Sequence, residues 1–197
     1  AGLLAVALGA PLGGVGLDAV PGAGVGLTAE AARWSAIGEV VERYAASWIE
    51  PGRLAFGSHD ELAGDRRLAD PAAFALFHPD QHATGNLPFA PFDETTRIRW
   101  VEGRCLVDGD PCWLRAALTL LPHRPHPADE AALARPTSHG LAPGRNAAEA
   151  TRRALWEAVE RDALMILWRN RLGRRSVPRF VEERLPPEIA RRLVRPG

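Results

Sequence analysis

The pattern Glu-x-x-Glu-Arg occurs twice in this chain, at Glu39, Glu42 and Arg43 and again at Glu157, Glu160 and Arg161, each time inside a stretch with helical apolar spacing. Any fold must therefore house two long helices, far apart in sequence, that each carry a stripe of carboxylates. The first is expected from Ala29 to about Ile49, with Thr28 as its N-cap, Glu30 in the first turn and Pro51-Gly52 ending it. At about 100° per residue, Ser35, Glu39 and Glu42 share one stripe, and Ile37, Val40, Val41, Tyr44 and Trp48 occupy the other face. The second helix is expected from Ala147 to about Leu172, with Asn146 and Glu149 forming a capping-box-like start. There Glu149, Glu157 and Glu160 share a side, but Leu155, Trp156, Val159 and the run Leu164 to Trp168 surround them, the pattern of a buried helix.

Short elements fill the rest. Residues 1–10 form an apolar run expected to be a buried strand or helix. Pro11-Leu12-Gly13-Gly14 and Pro21-Gly22-Ala23-Gly24 read as tight turns between short strands. Residues 53–96, broken by Pro71, Pro79, Pro88 and Pro91, are expected to be loops and short helices. From Arg97 to about Leu121 the pattern is β, with a hairpin turn at Asp108-Gly109-Asp110-Pro111. The proline-bearing stretch 121–135 is a surface connection, and the small residues from Thr137 to Gly144 make a turn before the second helix.

Carboxylates on a buried helix cost free energy unless positive charge meets them. The five glutamates of the two motifs face only Arg43 and Arg161, which leaves a surplus of negative charge that a divalent cation would offset. Hard carboxylate oxygens suit Mg2+, and Mg2+ commonly arrives with phosphate. The plainer account is a solvated helix face with local ion pairs, Glu149 acting as a cap. Repetition on two separate helices favours the metal-binding account.

Other signals exclude more than they assign. Basic and acidic residues number 24 each, so no bulk field attracts nucleic acid or an anionic membrane. Every basic residue is Arg, so a Walker-type loop and lysine chemistry are ruled out. Gly14-Val15-Gly16 lacks the last glycine of a dinucleotide fingerprint, and Val20-Pro21 interrupts the helix it needs. No His follows the glutamates at the spacing of a four-helix dimetal site. Cys105 and Cys112 are too few for a disulfide framework; they read as core packing in a reducing cytoplasm.

The same residues resemble the nucleotide-binding motifs of the YcaO family. Ser-x-x-x-Glu-x-x-Glu-Arg at Ser35, Glu39, Glu42 and Arg43 is similar to the first motif, and Glu149, Glu157, Glu160 and Arg161 to the second. Flanking segments agree: Gly26-Leu27-Thr28, then Pro88-Phe89-Ala90-Pro91-Phe92-Asp93 with Trp100-Val101-Glu102-Gly103, then Gly140-Leu141-Ala142-Pro143-Gly144. The last two are most similar to the azoline-forming branch.

The resemblance implies an α+β YcaO-like domain of mixed sheets with two long helices lining an ATP cleft, residues 1–197 being part of it. The chain is expected to be incomplete at its C-terminus, ending before a third nucleotide motif, and so inactive alone. Implied metal ligands are Glu39, Glu42, Glu149, Glu157 and Glu160, for Mg2+; implied nucleotide contacts are Ser35, Glu39, Glu42, Arg43 and Arg161, for ATP. The implied reaction is ATP-dependent cyclodehydration. A Cys, Ser or Thr side chain of a ribosomally made precursor peptide adds to its own preceding amide, the oxyanion takes the γ-phosphate, and elimination of phosphate leaves an azoline. No catalytic nucleophile is needed from the enzyme.

Implied partners are that peptide, of the kind matured in RiPP and bacteriocin biosynthesis, a separate leader-binding protein, and a second copy in a homodimer. Two departures stand out: Val25 where the family has a basic residue, and His139 where it has Asn. They keep open a non-catalytic relative that binds a precursor peptide or partner protein.

Overall fold

The computed structural model describes residues 4–10, 20–74, 76–123, 130–172 and 187, and divides into two compact units, Ala1–Ala158 and Val159–Gly197. In the first unit, strand β1 (Leu4–Ala10) pairs antiparallel with β2 (Val20–Gly26), Leu4 opposite Gly26 and Ala10 opposite Val20. Helix α1 (Ala29–Ser47) packs on that pair. Thr28 caps it as expected, its Oγ1 accepting from the Ala31 N–H at 3.1 Å.

The packing is by backbone approach. Gly22, Gly24 and Gly26 lie on one face of β2, because strand side chains alternate. A Cβ added to Gly24 would stand 2.1 Å from the Ala32 carbonyl oxygen, and one on Gly22 would stand 2.7 Å from that of Ala36. The fully buried residues of α1 are accordingly Ala32 and Ala36.

One expectation is corrected here, and one left open is decided. Pro21-Gly22-Ala23-Gly24 lies within a strand, its glycines serving close contact instead of a turn. The apolar stripe of α1 faces outward: Val41 and Trp48 are 55% and 66% exposed, whereas the Glu39, Glu42 and Arg43 side is half-buried. Periodicity separated the two faces without choosing between them; only small residues let a helix and a strand approach this closely. The Pro11-to-Gly14 turn lies outside the described residues.

A second layer is the antiparallel sheet β3-β4-β5. It comprises β3 (Leu54–Gly57), β4 (Ile98–Arg104) and β5 (Pro111–Arg115), with Trp100 opposite Arg115 across β4–β5. The β4–β5 hairpin is the one expected. Strand β3, only four residues long, was hidden in the segment read as loops and short helices. That segment also holds α2 (His59–Leu62), capped by Ser58, and α3 (Pro79–Ala83), capped by His78.

The β pattern does not extend to Leu121: Ala116–Thr119 forms a short helix, α4, with Thr119 Oγ1 donating to the Arg115 carbonyl at 2.9 Å. Ile98, Trp100 and Leu133 are the buried centre, and Phe92, Trp113 and Leu68 pack around them. The Trp100 indole N–H donates to the Gly57 carbonyl at 3.0 Å, so this large ring is buried without an orphaned donor.

The sheet is pinned at Glu130. Its carboxylate accepts from the Arg99 backbone N–H at 2.9 Å and side-chain Nε at 2.6 Å, and meets His123 Nε2 at 3.1 Å. Burial alone would raise the Glu130 pKa, but these hydrogen bonds overcome it and hold it at about 2. A depressed carboxylate contributes stability above its unfolded value, about 4.3, and loses it as pH falls toward the folded value. Acid titration should therefore remove on the order of 3 kcal/mol between about pH 4.3 and about pH 2. Glu130→Gln should flatten that part of an unfolding-versus-pH curve; an unchanged curve would contradict the assignment.

Helix α5 (Ala147–Arg169) begins as expected, with the Glu149 N–H donating to Asn146 Oδ1 at 2.9 Å. Its apolar residues are not buried. Trp156 is 65% exposed in the first unit and Trp168 77% exposed in the second, so the buried-helix expectation is overturned. Burial depends on a covering layer, which composition does not supply. Apart from residue 187, the described part of the second unit is the end of α5 and its exit, where Asn170 Nδ2 donates to the Ile166 carbonyl at 2.8 Å. The observed class is α+β. Among the described residues no helix is long and apolar enough to cross a membrane.

Candidate functional site

Within the first unit, the half-buried side of α1 and the middle of α5 bring carboxylates together. Glu39 is held first: its Oε2 accepts from the Ala23 N–H at 2.6 Å, and its Oε1 pairs with Arg43 Nη2. Arg43 in turn donates from Nη1 to the Pro21 carbonyl at 2.7 Å. Strand β2 thus fixes both residues through backbone groups.

Glu42, one turn further, has no comparable clamp among the described residues. Its carboxyl is held above the ordinary range by burial first, then by the negative charge of Glu157, then by Glu39, with Arg43 offsetting only part. Glu157 is positioned by the loop before α5, its Oε2 accepting from the Gly140 N–H at 3.1 Å. Gly140 has φ +78°, a conformation open to glycine, which aims that N–H. The loop sits against α1, since a Cβ on Gly38 would stand 3.3 Å from Pro143 Cγ. Arg43, Thr137 and Ser138, with Pro21, Leu121, Pro122 and Pro136, line a cavity of about 380 Å3.

The remaining candidates are placed differently. Ser35 is exposed on α1 beside Gly24. Glu149 is buried and engaged: Arg145 Nε reaches its Oε2 at 2.9 Å and Arg153 Nη2 its Oε1 at 2.7 Å. The Arg145 side-chain hydrogen bond is the main reason its pKa is lowered. A cation at Glu149 would have to displace an arginine. Glu160 and Arg161 belong to the second unit and are exposed there.

Sequence reasoning passed over the two arginines that hold Glu149, although their spacing of four residues on either side was the available signal. It also could not find the Ala23 N–H, the Pro21 carbonyl or the Gly140 N–H, because backbone groups carry no residue-type signature. His139 is exposed, and Val25 is 56% exposed. Burial pushes the Cys112 thiol up, which disfavours the thiolate.

Do these residues suit Mg2+? Among the described residues no three acidic, imidazole or thiol groups gather closely enough to hold a metal by themselves. Mg2+ does not require that, since it is usually held by one or two carboxylates, waters and substrate phosphates. Glu42, whose ionisation is disfavoured by burial and by the neighbouring Glu157 and Glu39, fits that requirement.

The family model described as YcaO cyclodehydratase, ATP- and Mg2+-binding, matches residues 23–195. The chain belongs to the YcaO family. Solved structures agree on the fold. A heterocyclase in complex with substrate and cofactor is 28% identical, with a TM-score of 0.66 over 83% of this chain and 24% of that one. The YcaO protein of Methanopyrus kandleri, bound with AMPPCP and Mg2+, is 20% identical, with a TM-score of 0.55 over 92% of this chain and 45% of that one. The heterocyclase TruD is 22% identical, with a TM-score of 0.58 over 77% of this chain and 24% of that one. This YcaO chain thus spans between about a quarter and under half of these relatives' lengths. Among curated protein sequences none matches it significantly.

Proposed function

We propose that this chain provides the Mg2+-ATP-binding part of a YcaO cyclodehydratase that activates a backbone amide of a ribosomally made peptide for azoline formation. The observation that carries this reading is Glu42, a half-buried carboxyl whose ionisation is disfavoured by burial, Glu157 and Glu39 and only partly offset by Arg43. A divalent cation held by Glu42 and Glu157 would offset that cost. Bound ATP supplies the phosphoryl group that makes the amide oxygen a leaving group.

In this reading Glu42 and Glu157 hold the metal, and Glu39 fixes Arg43 so that its charge borders the cavity. Thr137 and Ser138 bring hydroxyls to the same cavity, donors suited to phosphate or ribose oxygens. Phosphoryl transfer depends on positioning and charge neutralisation, which a rigid arginine and paired carboxylates can supply. Ser35, Glu149, Glu160 and Arg161 are assigned by their motif positions alone. The peptide substrate, a leader-binding partner, a homodimer and a cytoplasmic setting belong to the same proposal.

Equilibrium dialysis of the full chain against labelled ATP tests it. Saturable binding that needs Mg2+ is the expected result. No Mg2+-dependent binding would instead favour a non-catalytic relative that holds a peptide or partner.

A further inference from the structure

Away from the carboxylates, the second layer buries a positive charge that no acidic group among the described residues pairs. Arg115, at the end of β5, is 2% exposed. Its Nη1 and Nη2 have no hydrogen-bond partner among the described residues. Its guanidinium carbon lies 3.6 Å from the ring centre of Phe74 and 4.6 Å from that of Phe92. Ring faces attract the charge but do not serve in-plane N–H groups as lone pairs do. Burial lowers the Arg115 pKa to about 10, so the group stays charged at neutral pH.

Across those two rings is a cavity of about 200 Å3, walled by them and by Pro71, Leu76, Phe77 and His82; the guanidinium lies behind the Phe74 ring and does not itself line the cavity. A cavity of roughly 150 Å3 lined by apolar side chains accepts benzene, so this one has room for a ring or branched chain with a small polar group. Phe74, 39% exposed, is the ring that a ligand in this cavity would have to displace to reach Arg115. The nearby acids are already engaged: Asp70 Oδ1 accepts from the Ala72 N–H at 2.8 Å, and Asp93 Oδ1 from the Thr95 and Thr96 hydroxyls, each at 2.8 Å.

The chemistry that completes such a site is a carboxylate. Its two oxygens match the two free nitrogens of one guanidinium, and an apolar body matches the aromatic wall. A phosphate would bring more charge and more oxygens than one arginine between two aromatic rings can serve. We propose that Arg115 and the cavity bounded by Phe74 and Phe92 bind an aromatic or branched apolar carboxylate, either a free acid or the C-terminal residue of a peptide. This site is separate from the Glu42–Glu157 pair and does not depend on its assignment.

Calorimetric titration of the full chain tests it with 3-phenylpropanoate, with 3-phenylpropanamide, and with a short peptide ending in Phe as the free acid or the C-terminal amide. At least one free acid is expected to bind about tenfold or more tightly than its amide, because the charge-assisted pair is lost. Tighter binding of the small acid identifies a free metabolite-like ligand, and tighter binding of the peptide acid identifies a chain terminus. Arg115→Met should remove the preference for acid while keeping the fold, since an apolar replacement of a buried unpaired charge is often neutral or stabilising. Leu76→Trp, which fills the cavity and leaves Arg115 in place, should weaken both acids. Equal binding of acid and amide by the wild-type chain, or binding of neither acid, overturns the proposal without reference to any variant. Mg2+-ATP binding should be the same in Arg115→Met as in the wild type.

Discussion

A Gly24→Val chain is expected to lose the packing of α1 on β2 and to show no cooperative unfolding transition for that layer. The added Cβ would lie 2.1 Å from the Ala32 carbonyl oxygen and 2.2 Å from the Ala36 nitrogen, both main-chain atoms of one helix. Overpacking against side chains commonly costs about 1–3 kcal/mol because side chains can rearrange. Here the obstacle is backbone on one side and a paired strand on the other, so the cost should exceed about 3 kcal/mol. That is a large share of the roughly 5–15 kcal/mol by which a domain is stable. Val25→Ala, one residue on and pointing away from α1, should leave the transition nearly unchanged. Circular dichroism melts of the two variants make the comparison. A normal melt for Gly24→Val would mean that β2 does not lie on α1 as described.

The second large effect separates stability from binding at one residue. Glu42 has a raised pKa, so ionising it in the folded state is unfavourable and stability declines as pH rises through that value. Glu42→Gln removes this penalty, and its thermal midpoint at neutral pH should equal or exceed that of the wild type. The same change removes one of two proposed metal carboxylates and should weaken Mg2+-ATP binding by roughly tenfold or more, about 1.4 kcal/mol. Glu157→Gln should weaken binding similarly, but its carboxylate also accepts the Gly140 N–H, so it should not share the gain in stability. A charge kept at some cost in stability is a mark of function. If Glu42→Gln both destabilised the chain and bound Mg2+-ATP normally, Glu42 would be a structural group.

Much of this was legible in the amino-acid order. Thr28 and Asn146 marked both helix starts because capping is a local contest for the first free N–H groups. The Asp108-Gly109 turn marked the β4–β5 hairpin for a similarly local reason. The two acidic motifs carried the family.

What could not be read was which way each helix turns. Periodicity separates the faces of α1, but the choice between them was made by the glycines of β2, which admit Ala32 and Ala36 and leave Val41 and Trp48 outside. For α5 the run from Leu164 to Trp168 suggested burial, and exposure of that run depends on neighbours far from it in sequence. Arg115 gave no signal at all: in sequence it is one of 24 arginines, and only the rings of Phe74 and Phe92 set it apart.

Carbon-detected NMR of the full chain, with labelled glutamate carboxyls followed through a pH titration, reports directly on whether two helices share one negative pocket. Glu42 should titrate above its ordinary value in the free protein, fall when Glu157 is changed to Gln, and fall further in the wild type when Mg2+-ATP is added. A Glu42 carboxyl that titrates like an exposed glutamate and ignores both Glu157 and Mg2+-ATP would contradict the account.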